Sequence, residues 1–572
     1  MPDAHLQDKL LDARNALCGD IDFQLRFIAD SAWRLVATQD RDPSSPSLGC
    51  FHTAYWRDKT SEFPDARFQE AAAALGLLSL DEFESIREDV GAPDKETLRA
   101  AFLNGAKNLT AQQYKDGCYD EWYKGERGFA ATAFTNVAFG FALLFLRDEI
   151  SREDHDSLVE TLRRAADWLS AREDVVKINH EVVAIVSLAI VWKLTGEQKY
   201  LAAAREKLRV SLDHRDTEGW FRELNGADLG YSFLVFDYLM LFRWLADDQS
   251  VDQIVDGLLD FLIPHLHPDF TTSAEGGTCR NPYVGQIGFV LLDPESRRGD
   301  TFVGALAGLK SNRRRILPYL ADELRISRWA VLPVLAGLFW HTRNKAPVAR
   351  DGFAELYPQG WTASPAACLA AYHSRDLHVF VPAAGGAVTR VFVGEDLVVE
   401  DLGYSISLGS KQLTSKVYNA DRTLTLNTGE LQVGFGLSKP TYFFPTFAQR
   451  FLLRLGSTTA VGSRLTRAAI DWYRTRKRTA INQSAASVGR DDDGIILTRT
   501  VKPSESRVEI VDQFEADDAI LTSDMFILNL KVDGSQTVAI DATFKAARKV
   551  RIAKTFELSG APVLATITVS TQ

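Results

Sequence analysis

The chain has 572 residues, of which 46% are hydrophobic and 25% are charged, a composition typical of globular proteins that bury a large core. Its 76 acidic and 65 basic residues give a net charge of −11, which argues against a nucleic-acid-binding protein. An anionic ligand would therefore need a locally basic cleft. The five widely spaced cysteines form no C-x-x-C pair, which argues against a disulfide framework and a cysteine zinc site.

Residues 1–347 show helical periodicity almost throughout. The residues 133–146 and 182–194 are apolar on nearly every side, whereas residues 151–169 are amphipathic. Helices buried on all sides that alternate with one-sided helices indicate an inner and an outer layer. The predicted helices lie near residues 24–38, 64–78, 94–112, 127–148, 152–171, 179–196, 197–212, 227–248, 250–263, 299–310 and 328–342.

From residue 348 onward, short runs rich in Val, Thr, Phe and Ile are separated by Gly, Asp and Pro, as in LHVFVP, GIILTRTV and RVEIVDQF. This alternation predicts an antiparallel β-domain of many strands. The order of helices followed by strands excludes a Rossmann or TIM-barrel arrangement. We predict two or three domains by length and two by pattern: a helical domain over 1–347 and a β-sandwich domain over 348–572.

Targeting and common catalytic motifs are missing from the sequence. The first twenty residues include Asp3, Asp8 and Asp12 and no apolar run of the secretory type. The longest apolar stretches, such as Val182 to Trp192, are too short to span a bilayer. We expect a cytoplasmic protein without a membrane span, or a periplasmic one if a leader was removed. Nucleotide-binding glycine motifs and a serine-hydrolase elbow are missing, and His180-Glu181 lacks the second histidine of a zinc-protease motif.

Three polar strings interrupt the helical half where apolar residues are expected. They are YDEWYKGERGFAATAF at 119–134, the adjacent Asn179-His180, and TEGWFRELNGADLGYS at 217–232. The ends of the inner helices of a two-layered ring face one central cleft, so these strings are expected to converge there. Aromatic rings that stack on sugars and carboxylates that bind hydroxyls would suit a carbohydrate groove.

These strings, together with FHTAYWRDKTSEFPDARFQEAA and EGGTCRN, resemble the heparinase II/III-like polysaccharide lyase superfamily. The likeness follows the motif order over most of residues 50–290. It implies an incomplete (α/α) toroid followed by a C-terminal antiparallel β-sandwich. The related alginate lyases also have an adjacent Asn-His and a tyrosine at a comparable distance.

The resemblance implies β-elimination on a uronic-acid-containing polysaccharide or oligosaccharide. Donors to the uronate carboxylate stabilise the enolate-like intermediate, a role implied for Asn179 and His180, with Arg280 or Arg127 as helpers. It implies Tyr231 as the general acid or base, with its pKa lowered by nearby positive charge. A second acid or base from the β-domain stays open among the following residues: Tyr372, His373, Tyr404 and Tyr418.

The remaining expectations concern ligands and partners. The expected partner is an anionic glycan, with no nucleic acid, no redox cofactor and no predicted metal site. A structural ion at the sandwich stays open, with His373 and His378 as the available histidines, and the oligomeric state is not predicted. The substrate-binding candidates are Glu121, Trp122, Arg127, Trp220, Glu223, Asp228, Asn281, Tyr372 and His373.

Each candidate also has a structural interpretation. Asn179 could cap a helix, His180 and Tyr231 could be packed in the core, and Arg280-Asn281 could only shape a turn. Glu121 could pair with Arg127. Three alternative functions also stay open: a uronyl C5-epimerase, a carbohydrate-binding protein, and a toroid glycoside hydrolase with Asp120 or Glu121 acting with Glu223 or Asp228.

Overall fold

The structure is a computed structural model that describes residues 20–292, 299–308, 322–342, 354–386, 388–418, 422–439, 446–477, 494–516, 521–534, 547–559 and 562–571. Its helices are numbered in chain order. They are α1 (Asp20–Asp30), α2 (Ala32–Thr38), α3 (Thr53–Trp56), α4 (Glu70–Leu78), α5 (Glu84–Val90), α6 (Lys95–Gln112), α7 (Phe129–Phe145), α8 (Arg152–Ser170), α9 (Ile178–Thr195), α10 (Gln198–Leu212), α11 (Leu229–Ala246), α12 (Asp252–Leu262), α13 (Ile287–Leu291), α14 (Gly299–Gly308), α15 (Glu323–Trp329), α16 (Val331–His341), α17 (Phe447–Gly456) and α18 (Ala460–Lys477).

The strands all follow residue 359. They are β1 (Gly360–Ser364), β2 (Leu369–His373), β3 (Leu377–Val381), β4 (Thr389–Val393), β5 (Asp396–Leu408), β6 (Lys411–Thr414), β7 (Thr423–Asn427), β8 (Glu430–Gly436), β9 (Ile495–Ser504), β10 (Arg507–Ala516), β11 (Phe526–Val532), β12 (Lys549–Glu557) and β13 (Leu564–Thr571). The predicted boundary at 347/348 lies outside the described residues.

The helices of the first half form two layers. In the described part of the chain, α4, α7, α9, α11, α13 and α16 each contact the next, and α16 contacts α4 again. Helices α1, α6, α8, α10, α12 and α14 pack against the outside of this circuit. The inner helices α7, α9 and α11 are buried along almost their whole length, as their continuous apolar sequence predicts.

Some helix boundaries differ from the sequence prediction. The segment predicted at 24–38 is two helices, because the chain turns at Ser31 between α1 and α2. The short helices α3, α5 and α13 were not predicted at all, since they span no more than two turns and show little periodicity.

The second half contains two antiparallel sheets. One has the order β1-β2-β3-β4-β5-β11 with β6 on β5, and the other has the order β13-β12-β10-β9-β8-β7. Apolar side chains of both sheets form one buried cluster. Arg499 and Lys554 of the second sheet form buried ion pairs with Asp401 of the first. The sequence therefore predicted the helix-then-strand organisation correctly.

A helical hairpin, α17 and α18, interrupts the strands between β8 and β9, where the sequence analysis expected only β-structure. This hairpin contacts the helical half. The Arg467 guanidinium donates to Asp174 at 2.8 Å, and Ser463 donates to the backbone carbonyls of Gly125 and Glu126. A β-domain insertion therefore borders the ends of the inner helices.

Two inner helices, α9 and α11, are long and apolar enough to cross a membrane by length and composition. Each helix is 18 residues long. The sequence analysis expected the apolar stretches to be too short to span a bilayer, and for these two helices that expectation is wrong. Of the residues of α9, 72% are buried inside the protein, and of those of α11, 78% are buried. Core helices of soluble proteins can be equally long and apolar. Their apolar sequence is accounted for by their central place in the helical ring.

Four buried histidines join the helical half to the first sheet. His373 on β2 bonds the carbonyl of Pro264 at 2.9 Å and shares a 3.1 Å contact with Nδ1 of His378. His265 bonds the Ser364 hydroxyl at 3.2 Å, and His267 lies nearby in the same apolar layer. His373 is 0% exposed, so its assignment as a substrate-binding residue is wrong and its role is to join the two halves.

We expect this histidine layer to destabilise the protein in acid. Burial lowers the pKa of His265 to about 3, of His373 to about 3 and of His378 to about 4. Below pH 6.5 the unfolded chain binds protons that the folded chain does not. Each histidine can therefore lower the free energy of unfolding by up to about 1.4 kcal/mol for each unit by which the pH falls. The thermal unfolding midpoint should fall between pH 6.5 and pH 5, and less steeply in His265→Asn. A midpoint that is constant over this range would contradict this account.

Candidate functional site

The first turns of α9 and α11 are held by two buried carboxylates. Glu223 accepts the backbone N–H of Asn179 at 2.7 Å and its side-chain amide at 2.6 Å. Asp228 caps α11 by accepting the N–H of Tyr231 at 3.0 Å. Both carboxyl groups therefore bind backbone N–H groups at the positive ends of the helix dipoles.

Asn179 is not the helix cap that one structural interpretation expected. Lys177 occupies the N-cap position of α9, and the Glu223 carboxylate takes the Asn179 N–H instead. Asn179 is 1% exposed, and its Oδ1 is buried without a hydrogen-bond partner. Its amide therefore fixes Glu223, which makes it a positioning residue.

Burial raises the pKa of Glu223 to about 8 and the pKa of Asp228 to about 6. The charge of Lys177 acts in the opposite direction on both. Glu223 is therefore largely protonated at neutral pH, so that it can share hydrogen bonds with the Asn179 amide without a full buried charge.

Tyr231 lies in the first turn of α11 with its phenol partly exposed. Its hydroxyl has no hydrogen-bond partner among the described residues. Burial, followed by the charges of Cys279, Asp228, Glu223 and Glu121, raises its pKa well above the ordinary value. The expectation that neighbouring positive charge lowers this pKa is therefore wrong, because the groups that face the phenol are acidic. A neutral tyrosine of this kind is suited to donating a proton.

Lys177 is a cation at this site that the sequence analysis missed. Its charge acts on the pKa of Glu223, Asp228, Cys279 and His180, so the ammonium lies within electrostatic range of all four groups. Within the described part of the chain it forms no ion pair. Its ammonium is therefore available to bind an anionic group.

His180 is oriented by a buried carboxylate. Its Nδ1 lies 2.9 Å from Oδ2 of Asp174, which also accepts Arg467 at 2.8 Å. Although burial acts to raise it, the His180 and Arg467 contacts hold the pKa of Asp174 well below its usual range. An ionised Asp174 only accepts, so the proton sits on Nδ1 of His180 and leaves Nε2 with a lone pair.

Burial lowers the pKa of His180, against the raising effect of Asp174, so that the imidazole is neutral at pH 7. Its side chain keeps 14% of its surface exposed. A neutral, fixed and partly accessible imidazole can accept a proton, whereas it is a poor partner for neutralising a carboxylate. His180 is thus more than the packed core residue of its structural interpretation.

Glu121 and Trp122 lie next to this cluster. Glu121 pairs with Arg328 at 3.2 Å, not with Arg127, and its charge acts on the pKa of Tyr231. Trp122 is 54% exposed and lies 5.4 Å from the Arg328 guanidinium. An exposed indole beside the cluster suits the predicted stacking on a sugar ring.

The loop after α12 and the β-domain complete the site. Asp228 accepts the N–H of Cys279 at 2.8 Å, which fixes the loop that carries Arg280 and Asn281. Gly230 lies against this loop, since a Cβ there would be 2.1 Å from the Asn281 carbonyl. Arg280 donates to the Lys416 carbonyl of the β-domain at 2.7 Å.

Among the four β-domain candidates, Tyr418 lies closest to the cluster. A Cβ on Gly226 would lie 2.3 Å from its hydroxyl, so the glycine is required for this approach. The hydroxyl is buried without a hydrogen-bond partner, and the charges of Asp228 and Cys279 act on its pKa. Tyr404 instead donates to Asp512 inside the sandwich.

Three predicted binding residues lie elsewhere. Trp220 is 6% exposed and its indole donates to Glu218, so its ring is not a stacking surface. Tyr372 packs edge-on against Trp361 in the first sheet. Arg127 pairs with Asp116 at 2.7 Å in a separate surface pocket. The sequence placed these residues in polar strings or strands near the site. It does not show which side chains of such a segment face the site and which face away.

No group of three or more His, Cys, Asp or Glu residues that could hold a metal occurs among the described residues. His373 and His378, the histidines available for a structural ion, contact each other inside the protein. Among the described residues, the site includes the Lys177 ammonium, the His180 Nε2 and the Tyr231 hydroxyl on partly exposed side chains, and the buried Tyr418 hydroxyl beside them.

No protein-family model matches the sequence, and no curated protein matches it. Solved structures do share its fold. A xanthan lyase from Paenibacillus has a TM-score of 0.52 at 10% identity, over 98% of this chain and 57% of that chain. A chondroitin AC lyase from Streptomyces coelicolor A3, solved with chondroitin sulphate, has a TM-score of 0.50 at 12% identity, over 94% of this chain and 72% of that chain.

The chain therefore has the fold of two polysaccharide lyases, with helices followed by antiparallel sheets. It spans little more than half the length of the xanthan lyase. At these identities the likeness concerns the fold alone. The more specific resemblance to heparinase II/III-like proteins stays a prediction that rests on the sequence strings.

Proposed function

We propose that the protein is a lyase that cleaves a uronic-acid-containing glycan by β-elimination. The observation that carries this proposal is the partly exposed Tyr231 phenol, which has no hydrogen-bond partner among the described residues. The charges of Glu223, Asp228 and Cys279 act on its pKa, and the charge of Lys177 acts on the same three groups. The cluster lies at the ends of inner helices in a toroid of the heparinase II/III-like type, as the sequence strings imply. The shared fold with two polysaccharide lyases supports the same class.

In the proposed reaction, Nε2 of His180 accepts the proton from C5 of the uronate. Its lone pair is directed outward because Nδ1–H donates to Asp174. The C4–O bond breaks as the C4–C5 double bond forms. This assignment replaces the sequence expectation that His180 neutralises the carboxylate, because its imidazole is uncharged at pH 7.

Tyr231 donates its proton to the leaving oxygen at C4, a role that fits a phenol with a raised pKa. Lys177 binds the uronate carboxylate and stabilises the negative charge that develops on it. Asn179 holds Glu223 in place beside them, and Tyr418 closes the site from the β-domain. Proton exchange with water then restores His180 and Tyr231.

The carboxylates argue against the glycoside hydrolase alternative, which needs two accessible acids across the scissile bond. Asp120 accepts hydrogen bonds from Tyr114 and from two backbone N–H groups, and Glu121 pairs with Arg328. Glu223 and Asp228 hold the helix ends. All four are at most 7% exposed, so no two of them form an accessible pair of free carboxylates.

The proposal is tested with a panel of uronate polymers that includes xanthan, chondroitin, alginate and polygalacturonate. Elimination creates a 4,5-unsaturated uronate, so ultraviolet absorbance should rise with at least one polymer. Absorbance that stays constant while new reducing ends appear would contradict it in favour of hydrolysis. Deuterium uptake at C5 without cleavage would contradict it in favour of an epimerase.

A further inference from the structure

A pocket lies beside the candidate site, between the helical half and the β-domain insertion. Its cavity volume is about 380 Å³, within the range of ligand pockets. One wall is the loop before α7, the second is the end of α8, and the third is α18. Its lining includes four arginines, namely Arg127, Arg172, Arg464 and Arg467.

Among the described residues, two of these arginines have a carboxylate partner and two have none. Arg127 pairs with Asp116, and Arg467 pairs with Asp174. Arg172 donates to the carbonyl of Trp168 at 3.0 Å and lies over its indole at 4.3 Å. Arg464 is exposed and has no ion-pair partner among the described residues. The pocket therefore has two guanidinium groups, those of Arg172 and Arg464, without an ion pair in the described part of the chain.

The three acidic side chains of the pocket offset the charge of the four arginines only in part. The carboxylate of Asp116 is already paired with Arg127. Glu126 accepts the backbone N–H groups of Glu121 and Trp122 at 3.0 and 2.8 Å, both with its Oε2 atom, so this oxygen is directed at the backbone. Glu173 is exposed at the rim. The pocket is thus a basic region in a chain whose net charge is −11.

We propose that this pocket binds a second oxyanion of the glycan, a carboxylate or a sulfate on a sugar next to the one that reacts. Guanidinium groups bind such groups through paired N–H donors. Arg467 joins the pocket to the site, because it donates to the same Asp174 that orients His180. The inference deepens the proposed function, on which the choice of a glycan as ligand rests.

The test measures binding by titration calorimetry in a Tyr231→Phe background, so that no probe is cleaved. The probes are sodium sulfate, an oligogalacturonate and a chondroitin sulfate oligosaccharide. At least one oligosaccharide should bind, and Arg172→Gln with Arg464→Gln should weaken it by about tenfold or more. If the double variant loses affinity for the sulfated probe alone, the group bound in the pocket is a sulfate. If it loses affinity for the oligogalacturonate, the bound group is a carboxylate.

The matched control is Arg454→Gln on the same helical hairpin, where Arg454 pairs with Glu62 outside the pocket. Its affinity should equal that of the background protein. Equal affinities in the double variant and the control, or binding of none of the probes, would overturn the proposal. Arginine-dependent binding in a protein without turnover would instead overturn the lyase function and leave the anion pocket standing.

Discussion

Replacing Tyr231 with phenylalanine should lower kcat by about 10²- to 10⁴-fold, the usual contribution of a positioned proton donor. The hydroxyl has no hydrogen-bond partner among the described residues, so its removal leaves none of their polar groups unpaired. The ring stays packed on the core at the start of α11. Substrate affinity and the unfolding midpoint should therefore change little, while turnover by the absorbance assay is lost.

Tyr283→Phe is the matched control, because its hydroxyl donates to buried Asp237 at 2.6 Å. Removing it leaves a buried carboxylate short of a donor, which costs about 1–3 kcal/mol of stability but should spare turnover. The two tyrosines thus separate chemistry from folding. A Tyr231→Phe protein with more than a tenth of the parent kcat would show that the phenol is not the acid.

Asp174→Asn should also lower kcat by about 10²- to 10⁴-fold, since a neutral amide no longer fixes the His180 tautomer. Asp174 raises the pKa of His180 through its hydrogen bond and its charge. Without the carboxylate that pKa falls further, so the acidic limb of the pH–rate profile should move to lower pH. A purely structural role would lower the amount of folded protein without moving this limb.

Asp248→Asn is the control for this prediction, because Asp248 pairs with Arg205 outside both the candidate site and the neighbouring pocket. It should keep the parent pH profile. An Asp174→Asn protein with the parent profile and kcat would contradict the assignment of His180 as the base.

Much of the helical half could be predicted because its signals are local. The continuous apolar runs of α7, α9 and α11 identify inner helices, since only a helix buried on every side lacks a polar face. The polar strings at 119–134 and 217–232 lead into two of these helices, α7 and α11. Their position at helix ends follows directly from the sequence.

The partners of these residues could not be predicted, because they come from distant parts of the chain. Arg467 contacts Asp174 from an insertion in the β-domain, and Tyr418 contacts Gly226 from the segment after β6. Lys177 could have been considered a candidate, because it stands two residues before Asn179. A lysine next to a helix is, however, ordinary on a protein surface. Trp220 was misassigned because a tryptophan in a polar string has the same sequence context whether it is buried or exposed.

The most direct test of the central claim is the mass balance of cleavage on the polymer that the protein turns over. Mass spectrometry of a defined oligosaccharide before and after cleavage compares the summed product masses with the substrate mass. Elimination adds no water, so the sum should equal the substrate mass, and one product should carry the unsaturated uronate. A sum that exceeds the substrate by one water would show hydrolysis and contradict the proposed roles of His180, Tyr231 and Lys177.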